Sequence, residues 1–141
     1  MNSSAPEIVR VHCDGACRGN PGPSSAGAAL FDGINGGELA RVSRYLGVGT
    51  NNQAEYQALI LGLEEAARLG ARRVDIFADS QLLVRQLLGE YRVKNPQIQQ
   101  LFGQAVRLLN RFESWRAQHV PREQNALADQ LANEALDKLQ S

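Results

Sequence analysis

Four acidic residues, Asp14, Glu55, Asp79 and Asp129, stand apart in this 141-residue chain because each falls where the residue pattern makes a backbone element start or stop. Singly, each has an ordinary reading. Asp14 before Gly15 suits a turn, Asp79 suits a helix N-cap, and Glu55 and Asp129 suit early helical turns, where the macrodipole favours an anion. Together they allow another. Strand ends and helix starts can converge on one edge of a sheet, and carboxylates meeting there repel strongly unless cations neutralise them. Hard oxygen ligands select Mg²⁺, with Mn²⁺ as a substitute. Acids holding two such ions about 4 Å apart are arranged for in-line attack of water on a phosphodiester.

Other chemistries find less support. Cys13 and Cys17 are the two cysteines, and only His12 and His119 could join them on a metal. That is too little for zinc ligand spacing, and two thiols do not make a disulfide framework, so both are expected to be reduced. Fifteen basic residues balance fifteen acidic ones. The cations nonetheless gather between Arg85 and Arg122, where only Glu90 and Glu113 oppose them. Such a run permits a polyanionic partner and equally suits a solvated helical face. No apolar run reaches membrane-spanning length, and residues 1–6 lack the basic and apolar blocks of a signal peptide. With 43% apolar residues, the expectation is one domain over residues 1–141, cytoplasmic and monomeric.

The elements that must position the acids follow from periodicity. Residues 7–13 alternate around Ile8, Val9, Val11 and Cys13, which predicts a strand stopping at Asp14-Gly15, and the glycines and prolines of 15–23 predict a loop. Runs at 26–31 and 39–46 flank Asp32-Gly33-Ile34-Asn35-Gly36-Gly37, a hairpin connection. Tyr56, Leu59, Ile60, Leu63 and Ala67 recur at helical spacing after a Thr50/Gln53 capping box and stop at Gly70. A buried strand at 74–78 leads through Asp79-Ser80 into a second helix, and Asn95-Pro96 opens a third. Residues 113–120 read as a strand, which places Trp115 and Phe112 in the core, and Leu127, Leu131, Ala135 and Leu139 mark a closing helix. The order βββαβααβα specifies an α/β domain with a mixed sheet.

At these motifs the chain resembles type 1 ribonuclease H. The matching stretches are Asp14-Gly15-Ala16-Cys17-Arg18-Gly19-Asn20-Pro21-Gly22-Pro23, Thr50-Asn51-Asn52-Gln53-Ala54-Glu55, Ala78-Asp79-Ser80-Gln81 and Asn125-Ala126-Leu127-Ala128-Asp129. The resemblance implies the ribonuclease H-like fold with a five-stranded mixed sheet. It implies endonucleolytic cleavage of the RNA strand of RNA–DNA hybrids, with 5′-phosphate and 3′-hydroxyl products. Asp14, Glu55, Asp79 and Asp129 carry over as ligands of two Mg²⁺ ions. Asn52 and Gln81 carry over as readers of the ribose 2′-hydroxyl, a role amides fill without adding charge, and Asn20 and Thr50 as the pair that grips a phosphate of the DNA strand. Gly15 and Gly19, lacking side chains, would let backbone amides approach the nucleic acid.

The chain departs from the family pattern twice. The glycine-rich loop that carries a histidine before the last acid is reduced to His119-Val120-Pro121-Arg122-Glu123-Gln124-Asn125. Counting back from Asp129 offers His119 for the loop histidine. Aligning the strand first puts His119 inside it and leaves Arg122 or Glu123 at the loop position, and this second alignment is preferred. The other departure is the basic protrusion: residues 89–95, with Arg92 and Lys94, are too few to form one, so hybrid binding is expected to be weaker and strongly salt-dependent. Two alternatives remain: another nuclease on a related sheet, or a hybrid-binding module without catalysis.

Overall fold

The computed structural model describes residues 5–140. Ten elements run β1 (Ile8–Cys17), β2 (Gly22–Asp32), β3 (Glu38–Gly49), α1 (Asn51–Arg68), β4 (Arg73–Ala78), α2 (Gln81–Leu87), α3 (Pro96–Leu109), β5 (Ser114–His119), a 3-10 turn (Arg122–Asn125) and α4 (Ala126–Gln140). The strands form one sheet in the order β3-β2-β1-β4-β5. β1, β2 and β3 pair antiparallel, whereas β4 lies parallel to both β1 and β5. The expected βββαβααβα order and mixed sheet are therefore present, with the 3-10 turn as the addition.

Alternation along β2 sorts the helices onto opposite faces. Ala26, Ala28 and Leu30 are fully buried. A Cβ on Gly62 of α1 would lie 2.5 Å from Cγ1 of Val11 and 3.3 Å from Cβ of Ala28, so α1 packs directly on this face. Ser25 and Gly27 point the other way. The Ser25 hydroxyl donates to the carbonyl of Ala132, and a Cβ on Gly27 would lie 2.5 Å from the Ala128 carbonyl oxygen and 2.6 Å from the Ala132 amide of α4. The main core lies under α1 and includes Val9, Val11, Ile76, Leu59, Leu63, Leu83 and Leu109. Phe112 is buried and Trp115 is packed against this core, as expected from their strand neighbourhood. Leu131 and Leu136 are buried beneath α4. The side chain of Leu139, assigned by periodicity to the same face, lies outside the described residues.

Local signals explain most boundaries. Thr50 accepts from the Gln53 amide at 3.2 Å while the Gln53 side chain accepts from the Thr50 amide at 2.9 Å, completing the capping box. Asn95 caps α3 through the amides of Gln97 and Ile98, with Pro96 at its first position. The hairpin connection is held by Asp32, whose carboxylate accepts from the Ile34 and Asn35 amides.

The first turn region departs from expectation. The strand does not stop at Asp14-Gly15, and the loop is shorter than 15–23: β1 continues to Cys17 and β2 begins at Gly22, leaving residues 18–21 as the connection. Antiparallel pairing overrides the breaker residues, with Asp14 opposite Gly27, Gly15 opposite Ala26 and Cys17 opposite Ser24. Asp14 thus sits within a strand. The two cysteines, four residues apart on that strand, stand about 13 Å from each other, beyond disulfide reach, and both are free.

The contact between Gly27 and α4 generates a stability test. Gly27→Ala is expected to cost about 1–3 kcal/mol through overpacking, measured by urea denaturation. Gly103→Ala, in α3 with nothing nearer than Arg107 at 3.6 Å, should be neutral or stabilising by up to about 1 kcal/mol through helix propensity.

Candidate active site

Register places the first two acids. Cys13 and Ala78 form the last pair between parallel β1 and β4. Asp14 and Asp79 follow directly after that pair, so they emerge side by side where β4 ends. Asp79 is not the cap of α2: Ser80 takes that role, accepting from the Leu83 amide at 3.2 Å, which leaves the Asp79 carboxylate for the site. Glu55 arrives from α1, more than a turn beyond the Thr50 cap, and its Oε1 accepts the Gly15 amide at 2.7 Å. One carboxylate oxygen from each of Asp14, Glu55 and Asp79 lies within 4.8 Å of the others.

Gly15 makes this approach possible. A Cβ there would lie 2.6 Å from the Glu55 amide and would also strike Ala54. Its amide, expected to meet nucleic acid, is instead taken by Glu55, because the close packing of β1 on α1 aims it inward.

Asp129 lies in the first turn of α4, as its sequence position indicated, outside the 4.8 Å group. It lies near enough to Asp14 to help raise that carboxyl, behind burial and the charge of Glu55. Asn133, one turn later, donates to the Asp129 carbonyl at 2.9 Å and to its Oδ1 at 3.3 Å. Arg122 in the 3-10 turn stands with Nε 3.9 Å from Oδ2 of Asp79. It supplies a positive charge beside the acids.

The electrostatics are unfavourable for bare carboxylates. Asp14 is 4% exposed, and burial, followed by the charge of Glu55, holds its carboxyl far above the ordinary range. Burial also raises Glu55, against the opposing pull of its hydrogen bonds to Asp14 and Gly15. Oδ2 of Asp14 is buried with no donor. An oxygen-only donor set with an orphaned buried oxygen fits a hard divalent cation. Among the described residues, this is the one group of three or more potential metal ligands so disposed, and it contains neither cysteine nor histidine.

The remaining candidates divide around two helix starts. At α1, the Asn20 Oδ1 accepts from the Asn51 amide at 3.1 Å, which sets Asn20 beside Thr50, and the half-buried Asn52 has its Oδ1 buried with no donor. At α2, Gln81 is exposed next to Asp79. It shares a cleft of about 210 Å³ with His119 at the end of β5. His119 pairs with Ala78 in the strand, in accord with the preferred alignment, and Arg122 and Glu123 fall in the 3-10 turn beyond it.

Two participants were not assigned a part in the site from sequence: Asn125 and His12. Asn125 is 1% exposed. It donates to the Cys13 carbonyl at 2.9 Å and contacts His12 at 3.3 Å. The signal available in sequence was the four-residue spacing from Asn125 to Asp129, one helical turn.

A family model described as reverse transcriptase-like matches residues 12–135. Ribonuclease H of Pseudomonas savastanoi pv. phaseolicola is 32% identical over 152 residues, covering 94% of this chain and 95% of the relative. The crystal structure of RNase H1 from the halophilic archaeon Halobacterium salinarum superposes with a TM-score of 0.90 at 45% identity, covering 93% of this chain and 98% of that one. LC11-RNase H1, solved in complex with an RNA/DNA hybrid, gives 0.89 at 39% identity, covering 94% and 99%. The chain spans 35% of the length of curated mycobacterial relatives, at 41% identity. It spans 64% of a halobacterial ribonuclease HI, at 47% identity. No helix among the described residues is long and apolar enough to cross a membrane.

Because Asp14 and Glu55 are raised on folding, the native state binds more protons than the unfolded chain, so their contribution to stability falls as pH rises above the ordinary carboxylate range of about 4. In EDTA at pH 7.5, Asp14→Asn is therefore expected to raise the thermal midpoint by about 3 °C or more. The gain should vanish at acid pH, where the wild-type acids are protonated; differential scanning calorimetry at both pH values checks it.

Proposed function

This chain belongs to the type 1 ribonuclease H family, and on that premise we propose that it hydrolyses the RNA strand of RNA–DNA hybrids endonucleolytically, leaving 5′-phosphate and 3′-hydroxyl ends. The observation that carries the proposal is the convergence of Asp14, Glu55 and Asp79 within 4.8 Å around a buried oxygen that no donor satisfies. In this reading those three residues and Asp129 hold two Mg²⁺ ions. Bound there, the cations supply Lewis acidity for water attack and for the departing oxygen.

The chain's own groups do the rest. The Gly15 amide orients Glu55, and Asn133 orients Asp129. Asn52 and Gln81 flank the acids from the starts of α1 and α2, where uncharged amides can both donate to and accept from a ribose 2′-hydroxyl. Asn20 and Thr50 meet at the N-terminus of α1, a favourable place for a phosphate of the DNA strand. Arg122 offsets the negative charge that an incoming phosphodiester must approach. Glu123 and His119 are auxiliary at most, His119 being committed to β5 beside the Gln81 cleft.

The decisive measurement is Mg²⁺-dependent cleavage of a labelled hybrid, run beside duplex RNA, duplex DNA and single-stranded RNA. Cleavage confined to the RNA of the hybrid is expected. Asp79→Asn should slow it by roughly 10²–10⁴-fold, the equivalent of several kcal/mol of lost charge stabilisation. Binding without cleavage by the wild type would make the domain a hybrid-binding module instead. Arg122→Ala is expected to lower kcat/KM about 10-fold or more, and raising salt should weaken hybrid binding steeply.

A further inference from the structure

One buried polar side chain ties the helix that carries Asp129 to the strand that carries Asp14. Asn125 ends the 3-10 turn immediately before α4 and is 1% exposed. Its Nδ2 donates to the Cys13 carbonyl at 2.9 Å. A carbonyl can only accept, so the amide cannot be flipped, and its Oδ1 faces Nδ1 of His12 at 3.3 Å. That oxygen also can only accept, so Nδ1 of His12 carries the proton. The imidazole is gripped in turn, stacked on Phe77 with centroids 4.8 Å apart and edge-on to Phe31 at 5.5 Å.

Both ends of this connection lead to the acids. Cys13 precedes Asp14 on β1, and Asn125 sits immediately before α4, four residues ahead of Asp129 in its first turn. Where α4 crosses β2 its backbone at Ala128 and Ala132, with Cβ of Leu131, rests on the bare Gly27. Apolar packing is non-directional, whereas a directional hydrogen bond fixes a position. Ser25 supplies one such bond to Ala132 in the second turn of α4, and Asn125 supplies one at its start.

We propose that His12 and Asn125 are positioning residues: they set where α4 begins on the sheet, and thereby place the Asp129 carboxylate against Asp14 for a divalent cation. The proposal rests on the reading of these acids as cation ligands.

The test is Mg²⁺ titration of the hybrid-free protein by calorimetry, with steady-state kinetics at saturating Mg²⁺. Asn125→Ala is expected to weaken Mg²⁺ binding about 10–100-fold, the usual effect of removing a group that orients a ligand. His12→Phe, which keeps an aromatic ring between Phe31 and Phe77 but removes the donor, should weaken it about 3–10-fold, less than loss of the amide itself. KM for the hybrid at saturating Mg²⁺ should stay within about 2-fold, since no substrate contact is lost. In an Asp129→Asn background, Asn125→Ala should add little further loss, because its effect passes through Asp129. Unchanged Mg²⁺ affinity in the folded single variants, or an undiminished additional loss in the Asp129→Asn background, would overturn the proposal. Should Asn125→Ala fail to fold, His12→Phe decides alone. A wild-type protein that binds no Mg²⁺ or leaves the hybrid intact would instead sink the functional reading, a result visible before any variant is made.

Discussion

Like charges are held together in this molecule against both their mutual repulsion and their loss of water. Asp14, Glu55 and Asp79 place oxygens within 4.8 Å of one another, and Asp14 is almost wholly buried. Such an arrangement lowers the stability of the fold that contains it unless a cation or a proton intervenes. It persists because the surrounding scaffold leaves the acids nowhere else to go. Parallel register makes Asp14 and Asp79 neighbours, and the Gly15 amide fixes Glu55 from below. The scaffold carries the strain, and the chemistry uses it.

Close approach of backbones is the means. Gly15 admits the first turns of α1, Gly62 lets α1 settle on Val11, and Gly27, opposite Asp14, admits α4. Each glycine removes one Cβ at a helix–sheet contact. Hydrogen-bonding side chains take over where packing is smooth: Ser80 caps α2 in place of Asp79, and Asn133 steadies Asp129. The site is therefore specified by small residues and caps as much as by its carboxylates.

The elements were readable in sequence where local chemistry decides them. The capping box at Thr50, Pro96 after Asn95 and the turn at Asp32 all act within a few residues, and the structure keeps each. The acids could be singled out because each falls near an expected element boundary, although Asp14 proves to lie within β1. The path of residues 15–23 was hidden, because glycine and proline signal a loop locally whereas pairing with β2 is decided across the sheet. Gly15 was seen as open backbone, and only the packing of α1 reveals that its amide faces inward. His12 and Asn125, 113 residues apart, have no shared local pattern, and their contact exists only once α4 is docked.

The division of the acids between elements sets how the site comes apart. Three of them sit on or beside β1, α1 and β4, which share the main core. The fourth rides on α4, on the opposite face and at the far end of the chain. Asp129 therefore reaches the other acids only through the docking of α4, whereas Asp14, Glu55 and Asp79 meet within the main core layer. Completeness of the acid cluster is thus tied to the seating of one helix on the back of the sheet, a dependence that the three core acids do not share.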